Sequence, residues 1–387
     1  VFRKLPVILI GLIVILTLIT PHLSIEIKQM IYAISLTVKS IILLLLPIVI
    51  FSLLFNTMVN LAKGATSIIA LILLCVCCSN FLSTFVSHFV GMWVYDFNFT
   101  LISPHEADLL IPAWSWEFPK LINNDKAMFL GIFIGLILSR FQPPLAAKIA
   151  LRLNTLVEKT LQCFVLLIIL FVSGFVVKMQ ADGTMQTILK DYKMIFLVIF
   201  AAQFAYIIFA YAALNYFKPG DFINNIKNML PASIAGFSTM SSASVMPLTI
   251  VGAEMNARQK PLVRSIIPAT VNIHLVGDCF AIPIFAYAIM KSFGVAEPSL
   301  LTYLIFMFYF VLAKFSVAAI PGGGIVVMLP ILESCLGFNS EMLSLITALY
   351  ILFDPVITSA NVLGNGMFAK LIDTLAPVQV NRALVSQ

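Results

Sequence analysis

Several charged residues stand inside long apolar stretches, and Asp278, Lys314 and Asp354 sit where charge is most costly. In the middle of a lipid-embedded helix a carboxylate costs about 2.5–3.5 kcal/mol even on the lenient insertion scale, so each needs a partner. Thr358 and Asn361 follow Asp354 by four and seven residues and share its helical face. Lys314 offers a counter-charge to a buried Asp such as Asp354, or it snorkels to an interface. His274 precedes Asp278 by four, which on one helix makes a proton-responsive pair; the plainer alternative is a hydrogen-bonded core histidine. Ser238-Thr239-Met240-Ser241-Ser242-Ala243-Ser244 is a polar break in an apolar segment. Its hydroxyls, with the free amides of a helix end, suit a carboxylate, although serines also simply satisfy a turn. Pro321-Gly322-Gly323-Gly324 lets a backbone approach a ligand closely and flex, or makes an ordinary turn.

The elements that must position these residues follow from composition. The chain has 387 residues, 61% hydrophobic and 10% charged. Its mean hydropathy is +1.06. A soluble domain is about 45–50% apolar and about 25% charged, so a water-soluble globule is excluded, and disorder is excluded because so much apolar area must be covered. The apolar runs are long and do not alternate, which selects helices over barrel strands in lipid. They lie near 5–21, 30–61, 65–95, 125–140, 153–178, 193–217, 262–290 and 341–372. The first follows Arg3-Lys4 as a signal peptide would, but no small-residue cleavage site follows, and it reads as helix one. Residues 96–124 form a polar loop with Asp96, Glu106, Asp108 and Glu117, and with Trp114 and Trp116 as interface anchors. The six cysteines lack zinc-type spacing and read as small buried hydrophobes. The net charge of +6 comes from loops and is no nucleic-acid signature.

Two segments do not fit single crossings. Phe222–Arg264 is two arms broken at the serine run, and Leu300–Leu336 is two arms broken at the glycine run. The arm Ile325–Leu336 spans roughly 18 Å as a helix, against about 30 Å of hydrocarbon. Re-entrant hairpins are expected, each entering partway and returning to its own side. With eight crossings and both termini cytoplasmic, most Lys and Arg fall on the cytoplasmic side. Each hairpin precedes a long helix with a mid-run Asn (Asn272, then Asn361), so the halves form an inverted repeat, a sequence pointer to a transporter's binding site.

Over residues 219–374 the chain resembles the dicarboxylate/amino acid:cation symporter family. The resemblance rests on Pro219-Gly220-Asp221-Phe222, Asn228-Met229-Leu230-Pro231-Ala232, the serine run through Pro247, Ala269-Thr270-Val271-Asn272, Ile320-Pro321-Gly322-Gly323-Gly324, and Asp354 through Asn365. Leu45–Leu53 is similar to the family's second helix more loosely. The resemblance implies an all-α membrane protein with eight transmembrane helices and two re-entrant hairpins, working as an elevator and assembling as a homotrimer. Residues 1–62 and 125–190 would be scaffold helices one, two, four and five, with 96–124 extracellular. The third helix (63–95) and 191–374 would make the moving transport domain, and 375–387 a cytoplasmic tail.

The resemblance also implies roles. Ser241, Ser242, Gly323, Gly324, Asp354, Thr358 and Asn361 would contact substrate, with Asp354 holding its α-amino group. Asn272 and Asn361 would contribute to sodium sites. The departures alter this picture. The family's Arg, three residues after the Asp, is Ile357, which cannot clamp a side-chain carboxylate, so a neutral amino acid is expected over glutamate or aspartate. The serine motif ends in Ala243. The family's Asn-Met-Asp-Gly-Thr reads Asn272-Ile273-His274-Leu275-Val276, an ion-binding Asp becomes Asn365, and Ser and Thr ligands become Lys314 and Val317. Hard cations want oxygen ligands, so at least two sodium sites are degraded. Two replacements remain open: Lys314 as a tethered ammonium, or His274 with Asp278 as a proton-responsive pair. No cofactor is expected beyond Na+ or H+ as coupling ion.

The reading is thus an inner-membrane symporter of an amino acid or dicarboxylate, not an enzyme. Protease motifs fit poorly: Leu275-Val276-Gly277-Asp278 lacks the first glycine of an aspartyl-protease context, and Gly236-Phe237-Ser238-Thr239 lacks the glycine after serine. A transporter-derived sensor or uncoupled carrier is the competing class.

Overall fold

The computed structural model describes residues 5–63, 67–97, 110–116, 118–119, 122, 124–183, 185–315, 317 and 323–376. Arg3, Lys4, Glu106, Asp108, Glu117, Pro321, Gly322 and the tail from 377 lie outside the described residues. Among the described residues every regular element is helical. In chain order these are α1 (Leu5–Ile19), α2 (Ile25–Lys63), α3 (Ser67–Tyr95), α4 (Asn124–Phe141), α5 (Pro143–Ala181), α6 (Met185–Leu214), α7 (Pro219–Thr239), α8 (Met246–Met255), α9 (Lys260–Thr270), α10 (Val276–Ser292), α11 (Leu300–Lys314), α12 (Gly323–Leu336) and α13 (Ser340–Leu375). Prolines open α5, α7, α8 and α9, where a missing N–H breaks no helical bond. Asn339 caps α13 by accepting from the amides of Glu341 (3.0 Å) and Met342 (2.9 Å).

By length and composition, Leu71–Tyr95, Tyr192–Leu214 and Ser340–Leu375 are long and apolar enough to cross a membrane. Exposed apolar side chains such as Leu74, Phe133 and Phe209 belong against lipid or another apolar surface. Trp114 and Trp116 are exposed in the segment after α3, and Trp114 Nε1 donates to Thr37 Oγ1 (3.1 Å).

The helices pack in two groups. In the first, α2 runs along α4 and α5, and α1 lies on α5. Close approach there depends on small residues: a Cβ on Gly131 would sit 2.7 Å from the Phe51 carbonyl oxygen. In the second, α13 packs on α7 and α10, and α10 also packs on α3 and α6. Lys39 Nζ donates to Ser340 Oγ (2.5 Å) and Lys178 reaches Glu341 (3.4 Å), joining the two groups where α13 begins.

Both broken segments are hairpins of packed arms, α7 with α8 and α11 with α12. The arm α8 has 10 residues and α12 has 14, roughly 15 and 21 Å, too short to cross about 30 Å of hydrocarbon. Met240 turns the first tip in the left-handed region (φ 49°) and returns its N–H to the Gly236 carbonyl. One expectation is corrected. The run 262–290 is not one helix: α9 ends at Thr270, α10 starts at Val276, and 271–275 are non-helical.

Candidate functional site

The break between α9 and α10 sets the chemistry, because an interrupted helix leaves polar backbone groups that lipid cannot satisfy. Asparagines satisfy them. Gly277 N donates to Asn361 Oδ1 (2.8 Å). Asn365 Nδ2 donates to the carbonyls of His274 (3.2 Å) and Asn361 (2.9 Å), and its Oδ1 accepts from Thr270 Oγ1 (3.2 Å). From α3, Asn80 Nδ2 donates to the Ile273 carbonyl (2.7 Å). Asn272 lies in the break itself, and its buried Oδ1 accepts no hydrogen bond.

Asp278, in the first turn of α10, is the centre of a buried cluster. Its Oδ2 pairs with Lys314 Nζ at 2.8 Å, with both side chains sequestered from solvent (2% and 0% exposed). Its Oδ1 accepts from Tyr350 Oη (3.0 Å) and Asn361 Nδ2 (3.2 Å). Lys314 Nζ also lies 4.4 Å from the centre of the Phe310 ring, a cation–π contact. The start of α12 comes close, since a Cβ on Gly324 would overlap the Tyr350 hydroxyl and stand 2.5 Å from Asp278 Oδ2.

This geometry corrects three sequence expectations. Lys314 does not snorkel and does not pair with Asp354; Asp278 holds it. His274 does not pair with Asp278. It lies outside α10, so the four-residue spacing does not place both on one helical face. Its Nε2 bonds Ser79 Oγ (2.8 Å), its ring lies tilted against Phe368, and its Nδ1 has no partner.

Beside the cluster lies a small, partly open polar cavity. The first hairpin tip contributes Met240, Ser241 and Ser242, and the second contributes Val317 and Gly324. Asn272 and Asp278 line it from the broken helix, and Tyr350, Asp354, Thr358 and Asn361 from α13. Thr358 Oγ1 donates to Asp354 Oδ1 (3.2 Å). Ser241 Oγ accepts from the Ser244 amide (3.3 Å). Of the expected site residues, Gly323, His274, Lys314 and Asn365 do not line the cavity; they are buried behind it. Ile357 is fully buried and brings no charge.

Residues 123–375 match the sodium:dicarboxylate symporter family. The chain belongs to that family. Its members are transporters, which agrees with the helical architecture of the described residues and with a polar cavity lined from both hairpins. The chain is also similar to an excitatory amino acid transporter of Onchocerca volvulus, 29% identical over 154 residues. That match spans 38% of this chain and 30% of the relative's length.

The family's description names sodium, and the described residues fit it poorly. A hard cation needs several oxygen ligands. At the cavity the unengaged buried side-chain oxygen is Asn272 Oδ1, whereas Asn361 Oδ1 is taken by Gly277 and Asp278 is neutralised by Lys314. Among the described residues no group of three or more His, Cys, Asp or Glu is placed to hold a metal ion.

Sequence reading missed Tyr350, Ser79 and Asn80. Tyr350 stands four residues before Asp354 on the same helical face, and Ser79-Asn80 interrupts an apolar run. Both signals were available.

Proposed function

We propose that this chain carries an amino acid or dicarboxylate across the cytoplasmic membrane, and that its substrate is a neutral amino acid. The supporting observation is the cavity, which sets serines of one hairpin tip at one wall and the Asp354 carboxylate at another. A zwitterion presents a carboxylate to the first and an ammonium to the second. An acidic side chain would need a third, cationic wall, yet no Arg or Lys lines the cavity among the described residues and position 357 is Ile. The roles of Thr358 and Asn361 in substrate contact and of Asn272 in ion contact belong to this reading.

Eight crossings, cytoplasmic termini and an elevator motion of α3, α6, α10, α13 and the hairpins against α1, α2, α4 and α5 are part of the same proposal. The separate packing of those groups supports it. Assembly as a homotrimer belongs to the same proposal, with the exposed apolar face of α4 (Phe133, Ile134, Leu136, Ile137) free to lie against lipid or a neighbouring subunit. The second reading, a sensor or uncoupled carrier, is favoured by the ion pair that neutralises Asp278.

The test is uptake of a panel of labelled amino acids into liposomes under separate sodium and proton gradients. Uptake of neutral amino acids, lost in Asp354→Asn and Asn361→Ala, is expected. Uptake of aspartate at micromolar affinity overturns the substrate assignment. No uptake under either gradient supports the sensor.

A further inference from the structure

We infer that Lys314 is a resident cation of this site: its ammonium does for Asp278 and the end of α11 what a bound sodium ion would otherwise do. The inference rests on the transporter reading above and deepens it by assigning the cation.

Charge and place carry it. Asp278 is a carboxylate with almost no solvent contact at the edge of the cavity, and some cation must balance it. Lys314 does so at 2.8 Å. It is the last residue of α11, where the helix dipole favours a positive charge. The carboxylate lies against Gly324 in the first turn of α12, where the dipole favours a negative one. The two arms of one hairpin therefore present opposite dipole ends to the two halves of one ion pair.

The pair is also a tie. It joins the end of α11 to α10, while Tyr350 and Asn361 on α13 hold the same carboxylate. The end of α11 is thus fastened to α10 by a cation carried on the chain, present at every sodium concentration. A sodium ion at Asp278 would have to displace a lysine that cannot diffuse away.

The experiment is thermal unfolding of the full purified chain in detergent, without substrate, in sodium chloride against choline chloride at equal ionic strength. The wild type is expected to unfold at the same temperature in both salts. Lys314→Met is expected to unfold earlier in choline and to recover saturably with sodium. Asp278→Asn/Lys314→Met, lacking both charges, is expected to be insensitive to the choice of salt again, as is Lys314→Arg.

A saturable, sodium-specific rise in the wild type overturns the inference. So does a folded Lys314→Met that gains nothing from sodium, or one that misfolds in both salts while the double variant folds. If neither variant folds, the wild-type comparison decides alone. Absence of uptake in liposomes bears only on the transport reading, because this readout needs no substrate.

Discussion

Gly324→Ala tests the packing of the Asp278 cluster most directly. An added Cβ would overlap the Tyr350 hydroxyl and stand 2.5 Å from Asp278 Oδ2, against 3.4 Å for ordinary contact. The carboxylate must therefore retreat by about 1 Å, from 3.4 minus 2.5. Its bonds to Lys314 and Tyr350 are 2.8 and 3.0 Å long, so a shift of that size breaks at least one of them. Overpacking costs about 1–3 kcal/mol, and a lost hydrogen bond to a charged group about 1.5–3 kcal/mol. Alanine returns at most about 1 kcal/mol of helix propensity. The net expectation is a loss of about 1.5–5 kcal/mol, read by reversible SDS unfolding in mixed micelles. Tyr350→Phe removes the overlapped hydroxyl, so the same Gly→Ala change should cost clearly less in that background. A Gly324→Ala protein as stable as wild type refutes the reasoning, and so does strict additivity of the two substitutions.

Asp354→Asn should abolish uptake of neutral amino acids in liposomes while leaving the unfolding midpoint near wild type, because the amide still accepts from Thr358. Asn365→Ala strips partners from the carbonyls of His274 and Asn361, and should cost about 1–3 kcal/mol with faster hydrogen exchange across 271–275. Asn339→Ala removes the cap of α13 and should cost about 0.5–2 kcal/mol in the same unfolding assay, without altering substrate preference.

Much of the fold was legible because lipid simplifies the problem. A backbone in hydrocarbon must satisfy itself, so run length alone separates a long helix such as α6 from a short arm such as α8 or α12. The serine run announced the first tip, since those residues have no reason to interrupt an apolar stretch except at a turn or a ligand. The break inside 262–290 was not legible. Thr270-Val271-Asn272-Ile273-His274-Leu275 contains no glycine or proline, and what sustains the break is the set of amides from Asn80, Asn361 and Asn365, all distant in sequence.

That break explains why the charged residues were read correctly as a set and wrongly as pairs. From sequence, Asp278, Lys314, His274 and Asp354 were all costly in lipid and each needed a partner. Spacing offered His274 either Asp278 or a core hydrogen bond, and offered Lys314 a buried Asp such as Asp354, an interface or the place of a sodium ion. The pairing that forms, Asp278 with Lys314, links residues 36 apart on different elements. His274, displaced from the helix by the break, turns to Ser79 on α3 instead. By itself the sequence determined the solvent this chain folds in, the helical class, the two hairpins and the residues that carry charge into the membrane, because those follow from local composition and run length. Only the tertiary structure decided which charge neutralises which, because an ion pair is set by a distance of a few ångströms between elements, and no periodicity within one element encodes that distance.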